Sequence, residues 1–143
     1  MAEAPAADML NMARAAMTRA YAPYSGFSVG AVVRGESGKL YAGCNVENAA
    51  YPLSSCAEAS AISALIMAGE RCVIEVLVIG QGSTLISPCG GCRQRLSEFA
   101  ADATPIHLCG PDGVHETLTL GELLPRAFRS QNIATTGLKT SGR

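Results

Sequence analysis

Charge is scarce in this 143-residue sequence. Charged residues make up 16% of it, below the roughly 25% of an average globular chain. The signs nearly cancel, with 11 Lys and Arg against 12 Asp and Glu, and Lys39 and Lys139 are the only lysines. A nucleic-acid binder usually carries a basic excess or stripe, so no nucleic-acid partner is expected. No apolar run approaches the ~18 residues of a membrane helix, which argues against a membrane partner. No charged-then-apolar leader stands at the start, and the chain is expected to be soluble and cytoplasmic. Internal repeats, long linkers and charge blocks are also missing. Residues 1–143 are therefore read as a single domain, with a flexible tail from about residue 130.

What remains is apolar. The set AVILMFWYC supplies 48% of the residues, too many for a disordered chain. So apolar and charge-poor a small domain is expected to bury part of its surface in an oligomer. Six cysteines stand at positions 44, 56, 72, 89, 92 and 109. A cytoplasmic chain with enough apolar residues for a core needs no disulfide staples. Such thiols are buried, catalytic or metal-bound, and spacing must decide which.

Hydrophobic periodicity divides the chain into alternating elements. Met9, Leu10, Met12, Ala13, Ala16 and Met17 recur at helical spacing, which predicts a helix over 6–20. Phe27, Val29, Ala31 and Val33 alternate as in a half-buried strand. A turn at 35–38 leads to a second strand over 40–44, forming a hairpin. A helix over 56–68 ends at Gly69. Residues 72–79 (CVIEVLVI) form an almost continuous apolar run, as in a central strand covered on both faces. Ser87 and Pro88 read as an N-cap and first helical residue of a helix reaching Phe99. Strands over 105–109 and 114–118 and a short helix over 120–128 complete the chain. The order α-β-β-α-β-α-β-β-α predicts a three-layer α/β/α sandwich around a mixed five-stranded sheet.

Pro88-Cys89-Gly90-Gly91-Cys92 is the strongest local signal. Two cysteines three apart at a helix start present both sulfurs beside a helix N-terminus, which stabilises thiolates. Alone, this fits either half a metal site or a dithiol redox pair. A second signal favours metal. Ser55-Cys56-Ala57-Glu58 also opens a helix. The plainer role for Glu58 is a capping box with Ser55, but that leaves Cys56 unexplained. If the two helix starts converge, Cys56, Cys89 and Cys92 surround one point. Zinc takes four ligands, so three sulfurs leave a position open, as in catalytic zinc sites. Glu58 would then stand beside that position as the acid–base group.

These motifs resemble the zinc deaminases, which pair a His or Cys two residues before a Glu with a later Pro-Cys-x-x-Cys. The sequence is more closely similar to cytidine deaminases of the small homotetrameric type. The resemblance runs through Pro23-Tyr24-Ser25, Phe27 to Ala31, Gly43 to Asn48, Cys56-Ala57-Glu58, Ser87 to Gln94 and Leu123-Leu124-Pro125. It implies a cytidine deaminase-like fold and one Zn²⁺ per subunit on Cys56, Cys89 and Cys92. It implies hydrolytic deamination of free cytidine and 2'-deoxycytidine to uridine or deoxyuridine and ammonia, in pyrimidine salvage. Glu58 is implied to carry the protons. Phe27 is implied to pack on the pyrimidine ring, and Asn45 and Glu47 to hold the ribose 3'-hydroxyl. The Ala57 backbone would contact the base, and the Ser87 carbonyl the amino group. Tyr51 and Phe128 are similar to residues that reach a neighbouring subunit's pocket, which implies a homotetramer with shared active sites.

One position departs from the pattern. Many members carry Arg directly after Cys-Ala-Glu, where its charge offsets the thiolates; here it is Ala59. Arg93, beside Cys92, is the candidate substitute. Cys44, Cys72 and Cys109 are expected to be core thiols, and neither His107 nor His115 is assigned to the metal. A non-catalytic zinc-binding or dithiol redox protein is the alternative from another class, and a blasticidin-type deaminase the alternative within the family.

Overall fold

The computed structural model describes residue 5 and residues 7–133. Helix α1 (Ala7–Met17) precedes the hairpin β1 (Val29–Gly35) and β2 (Leu40–Cys44). Helix α2 (Ala57–Met67), strand β3 (Val73–Gly80) and helix α3 (Gly90–Phe99) follow. Strands β4 (Pro105–Gly110) and β5 (Gly113–Thr119) and the one-turn α4 (Leu120–Leu123) come last. The sheet runs β2-β1-β3-β4-β5. Only β3 and β4 are parallel; the other three pairings are antiparallel. The expected mixed five-stranded sheet is therefore what forms.

Strand alternation places the two cores. Val76 and Val78 of β3 join Ala31, Val33, Ile106 and Leu108 beneath α2 and α3. Leu77 and Ile79 point the other way, joining Val32 and Cys109 beneath Met9 and Ala13 of α1. The continuous apolar run of β3 is thus explained: helices cover both its faces. Two glycines bring helices unusually close to the sheet. A Cβ at Gly30 would lie 2.3 Å from the Ala13 carbonyl oxygen of α1. A Cβ at Gly43 would lie 2.4 Å from the Ala61 nitrogen and 2.5 Å from the Ala57 carbonyl oxygen of α2.

Helix starts and two helix ends differ from the sequence reading, α1 stopping at Met17 rather than at residue 20. Cys56 and Cys89 are the N-caps of α2 and α3, and neither side chain makes a capping hydrogen bond. Ser55 instead exchanges backbone hydrogen bonds with Val46. That strand-like pairing holds it out of the helix. The last helix ends at Leu123 because Leu124 precedes Pro125, and such a residue leaves helical geometry (here φ −139°, ψ 70°). Among the core-thiol expectations, Cys109 is buried, whereas Cys44 and Cys72 are half-buried at strand margins. Of the expected tail, residues 130–132 form a 3-10 turn, and residues 134–143 lie outside the described residues. Among the described residues, no helix is long and apolar enough to cross a membrane.

Because β1 is antiparallel to both β2 and β3, the latter two run in the same direction. Their carboxyl ends reach one rim of the sheet together. The loops leaving that rim deliver the N-termini of α2 and α3 side by side. In α/β sheets, the space outside the carboxyl ends of strands is where ligands bind.

Candidate metal centre and active site

The ligand atoms of Cys56, Cys89 and Cys92 lie within 4.8 Å of one another, although Cys56 is 33 residues from Cys89. The Cys56 and Cys89 sulfurs are 4.0 Å apart. Tetrahedral zinc with sulfurs at about 2.3 Å spaces them by about 3.8 Å, so the cluster closes on zinc with little movement. The electrostatics point the same way. For the sulfurs by themselves, burial pushes the Cys56 and Cys92 thiols above their ordinary value, and neighbouring negative charge adds to both. Burial also acts against the Cys89 thiolate, but hydrogen bonds from the Cys92 backbone and the Cys92 and Cys56 thiols outweigh it and hold it low. Three sulfurs this close ionise together only around a cation. A dithiol pair would leave the third sulfur without a purpose.

Glu58 stands in the first turn of α2 and is only 4% exposed. It is not a capping residue, since Ser55 is not the N-cap. Burial pushes its carboxyl above the ordinary value; its own backbone, the Cys92 thiol and the Arg95 charge pull it partly back. A buried carboxyl raised in this way is suited to taking up and giving back a proton.

A cavity of about 420 Å³ opens over this cluster. That volume lies in the range of small-molecule sites. Phe27, Asn45, Glu47, Cys56, Ala57, Glu58, Ser87 and Cys89 all line it. Val29, Val78 and Ile86 add apolar wall. Cys92 is fully buried behind it.

Asn45 and Glu47 also hold the loops that shape the cavity. Asn45 accepts from the Val29 N–H at 2.8 Å and donates to the Phe27 carbonyl at 2.9 Å. Glu47 accepts from the backbone N–H groups of Tyr24 and Ser25, each at 3.0 Å, and from the Ser25 hydroxyl. These bonds draw the Glu47 carboxyl below its ordinary value, the Ser25 hydroxyl most of all. Ser25 is a wall residue that stands in the Pro23-Tyr24-Ser25 motif but was given no role in the sequence reading; the following Gly26 at φ 67° marks the turn that presents it.

The aromatic residues expected at a subunit boundary stand apart. Tyr51 is 70% exposed, packs edge-on against Tyr24 at 5.8 Å, and lines a neighbouring hollow with Glu47 and Ser54. Phe128 is 57% exposed and lies outside the cavity, its carbonyl accepting from Gln94. Within one chain, neither reaches the metal cluster's cavity.

Residues 4–108 match the family model of the cytidine and deoxycytidylate deaminase zinc-binding region. The chain belongs to this family. Its zinc-binding character accounts for the three-cysteine cluster. The deaminase is 39% identical over 119 residues to the cytidine deaminase of Sporosarcina psychrophila, covering 83% of this chain and 88% of that one. It is 42% identical over 123 residues to the cytidine deaminase of Mycobacterium tuberculosis, covering 82% and 88%. The crystal structure of cytidine deaminase from Burkholderia pseudomallei superposes with a TM-score of 0.80 at 40% identity, over 85% of this chain and 97% of that one.

The two arginines near the cluster divide differently from the sequence expectation. Arg93 does not face the sulfurs. It donates to the Pro88 carbonyl at 2.8 Å, the Leu123 carbonyl at 2.8 Å and the Ser87 hydroxyl at 2.7 Å, tying the loop before α3 to the end of α4. The guanidinium beside the cluster belongs to Arg95, whose Nη1 is 3.9 Å from the Cys92 sulfur. The signal for it was available: position 95 is one helical turn after Cys92.

Proposed function

We propose that this single-domain chain is a zinc-dependent hydrolase that converts free cytidine, and 2'-deoxycytidine, into uridine or deoxyuridine and ammonia. The observation that carries this is a buried carboxylate beside a three-thiol cluster, with Glu58, Cys56 and Cys89 lining one cavity. The chain's relatives are named cytidine deaminases, which supports the pyrimidine nucleoside as substrate.

Zinc, when bound, polarises a water molecule as a Lewis acid. Glu58 does the proton work. Its carboxylate would take a proton from the attacking water and deliver it to ring N3 as the water oxygen bonds to C4. It then takes the remaining hydroxyl proton and delivers it to the exocyclic nitrogen. The C4–N bond breaks, ammonia leaves, and the ring keeps the new carbonyl and the N3 proton. One carboxylate can serve both transfers because ring N3 and the exocyclic nitrogen share one edge of the ring, and it must lie within hydrogen-bond reach of both.

The remaining roles follow on this reading. Phe27 packs on the pyrimidine, and Asn45 and Glu47 hold the ribose 3'-hydroxyl. The Ala57 backbone contacts the base, and the Ser87 carbonyl accepts from the amino group. Tyr51 and Phe128, both largely exposed, are covered when they reach a neighbouring subunit's pocket. The working unit is then a homotetramer with one zinc per subunit, acting in cytoplasmic pyrimidine salvage. The test is zinc per subunit together with the ultraviolet change as cytidine becomes uridine, for the native protein and Glu58→Gln. Zinc retained with activity lost in the variant is expected. A zinc-loaded native protein that turns over no pyrimidine nucleoside overturns the proposal.

A further inference from the structure

The metal cluster has a charge problem, and the surrounding residues show how this chain meets it. Three thiolates around Zn²⁺ sum to −1. Any fixed positive charge nearby therefore favours the loaded state over the empty one. The N-termini of α2 and α3 supply part of that charge, since Cys56 and Cys89 are their N-caps. A full positive charge must come from a side chain. Arg93 is committed to two backbone carbonyls and the Ser87 hydroxyl. Arg95 is not. Its Nη1 lies 3.9 Å from the Cys92 sulfur. The guanidinium passes directly over Gly91, where even a Cβ would stand 3.4 Å from Nη1.

Helix geometry explains why only one side of the cluster is served. Position 95 follows Cys92 by three residues on α3, so the two side chains share a face. Position 59 follows Cys56 by three residues on α2 in the same way. It holds Ala59, which brings no charge.

We propose that Arg95 is the positioning residue for the metal centre, its guanidinium over Cys92 balancing the thiolate cluster that Ala59 leaves uncompensated on the Cys56 side. This rests on the zinc reading above. Arg95 does not line the cavity; it acts through Cys92. It stabilises the metal-loaded cluster and makes the Cys92 sulfur a weaker electron donor.

The experiment uses the full-length chain as native protein, Arg95→Met, Arg95→Lys and the double variant Arg95→Met with Ala59→Arg. Zinc affinity is measured by competition with a chromophoric chelator. Cobalt-substituted protein reports the energy of the sulfur-to-metal charge-transfer band. Loss of a charged group that supports a metal ligand typically weakens affinity about 10- to 100-fold, and that is the loss expected for Arg95→Met. Its charge-transfer band is expected at longer wavelength, because the sulfur loses a stabilising charge. Arg95→Lys is expected between native and Arg95→Met. Arginine at position 59 is expected to recover affinity in the double variant, which a merely structural role for Arg95 does not predict. Affinity within twofold of native and an unmoved band in Arg95→Met overturn the proposal. Because Arg95 is exposed, its replacement leaves the core untouched, and Arg95→Lys gives a second reading of the same charge. Native protein that binds no zinc overturns the deaminase reading instead, so the two failures are distinct.

Discussion

Replacing Gly43 by alanine tests how the sheet positions α2, the helix that carries Glu58. On chain entropy alone, the change would stabilise the fold by about 0.4–1 kcal/mol, because alanine has less freedom to lose than glycine. The structure reverses that sign. The new Cβ would stand 2.4 Å from the Ala61 nitrogen and 2.5 Å from the Ala57 carbonyl oxygen. These are backbone atoms of α2, so no side-chain rotation relieves the clash. Ordinary contact begins near 3.4 Å, so α2 must withdraw from β2 by about 1 Å. Overpacking of this kind costs about 1–3 kcal/mol. For a domain of this size, that lowers the melting temperature by roughly 3–10 °C. The functional loss should exceed the stability loss, because Ala57 begins the helix that carries Glu58 and is capped by Cys56. A 1 Å misplacement at a reacting centre can cost about 100-fold in rate. The assay pairs thermal unfolding by circular dichroism with kcat for cytidine per zinc-loaded subunit. A Gly43→Ala protein that melts at or above the native temperature and keeps native kcat refutes the close-approach reasoning.

Other expectations follow from the same geometry. Glu58→Gln should keep its zinc and lose about 10²- to 10⁴-fold in kcat, checked by metal analysis beside the ultraviolet assay. Serine at Cys56, Cys89 or Cys92 should abolish stoichiometric zinc, and dialysis of the native protein against a strong chelator should lower its melting temperature in step with metal loss. Cys109, with its thiol pushed up to about 11 by burial, should resist a thiol reagent at pH 8 until the chain unfolds; in metal-stripped protein, the exposed Cys89 should react first. His107 is fully buried between Glu75, at 2.7 Å, and Thr117, at 2.8 Å. Glu75→Ala, which strands that imidazole, should cost about 1–3 kcal/mol in denaturant unfolding. Activity per folded molecule should be unchanged, because the row of Arg34, Glu75 and His107 lies on the α1 face of the sheet, opposite α2 and α3 with Cys56, Cys89 and Cys92. The Glu70 carboxyl is drawn down chiefly by the Ser37 hydroxyl, then by Tyr41. Its contribution should be present above the ordinary carboxylate pKa and fade as pH falls through the lowered folded value. Acid unfolding of Glu70→Gln beside native protein checks this.

The sequence by itself determined the elements and the reagents. Strand alternation and helical spacing are local signals, so five strands and the helix cores could be read directly. Cys-Ala-Glu and Pro-Cys-Gly-Gly-Cys mark candidate metal ligands and a candidate proton carrier, because each motif is fixed by a few adjacent bonds. Tertiary structure decided what those local signals leave free. Which residue caps α2 depended on Ser55 being drawn into pairing with Val46, a contact across the loop. The meeting of Cys56 with Cys89 depended on β2 and β3 ending at the same rim, which β1 between them dictates. The burial that pushes the Glu58 carboxyl up depended on neighbours supplied by the packed fold. The choice between Arg93 and Arg95 was decided by direction alone: two residues apart, they leave α3 about 200° apart around its axis. One fastens the loop and the other faces the sulfur.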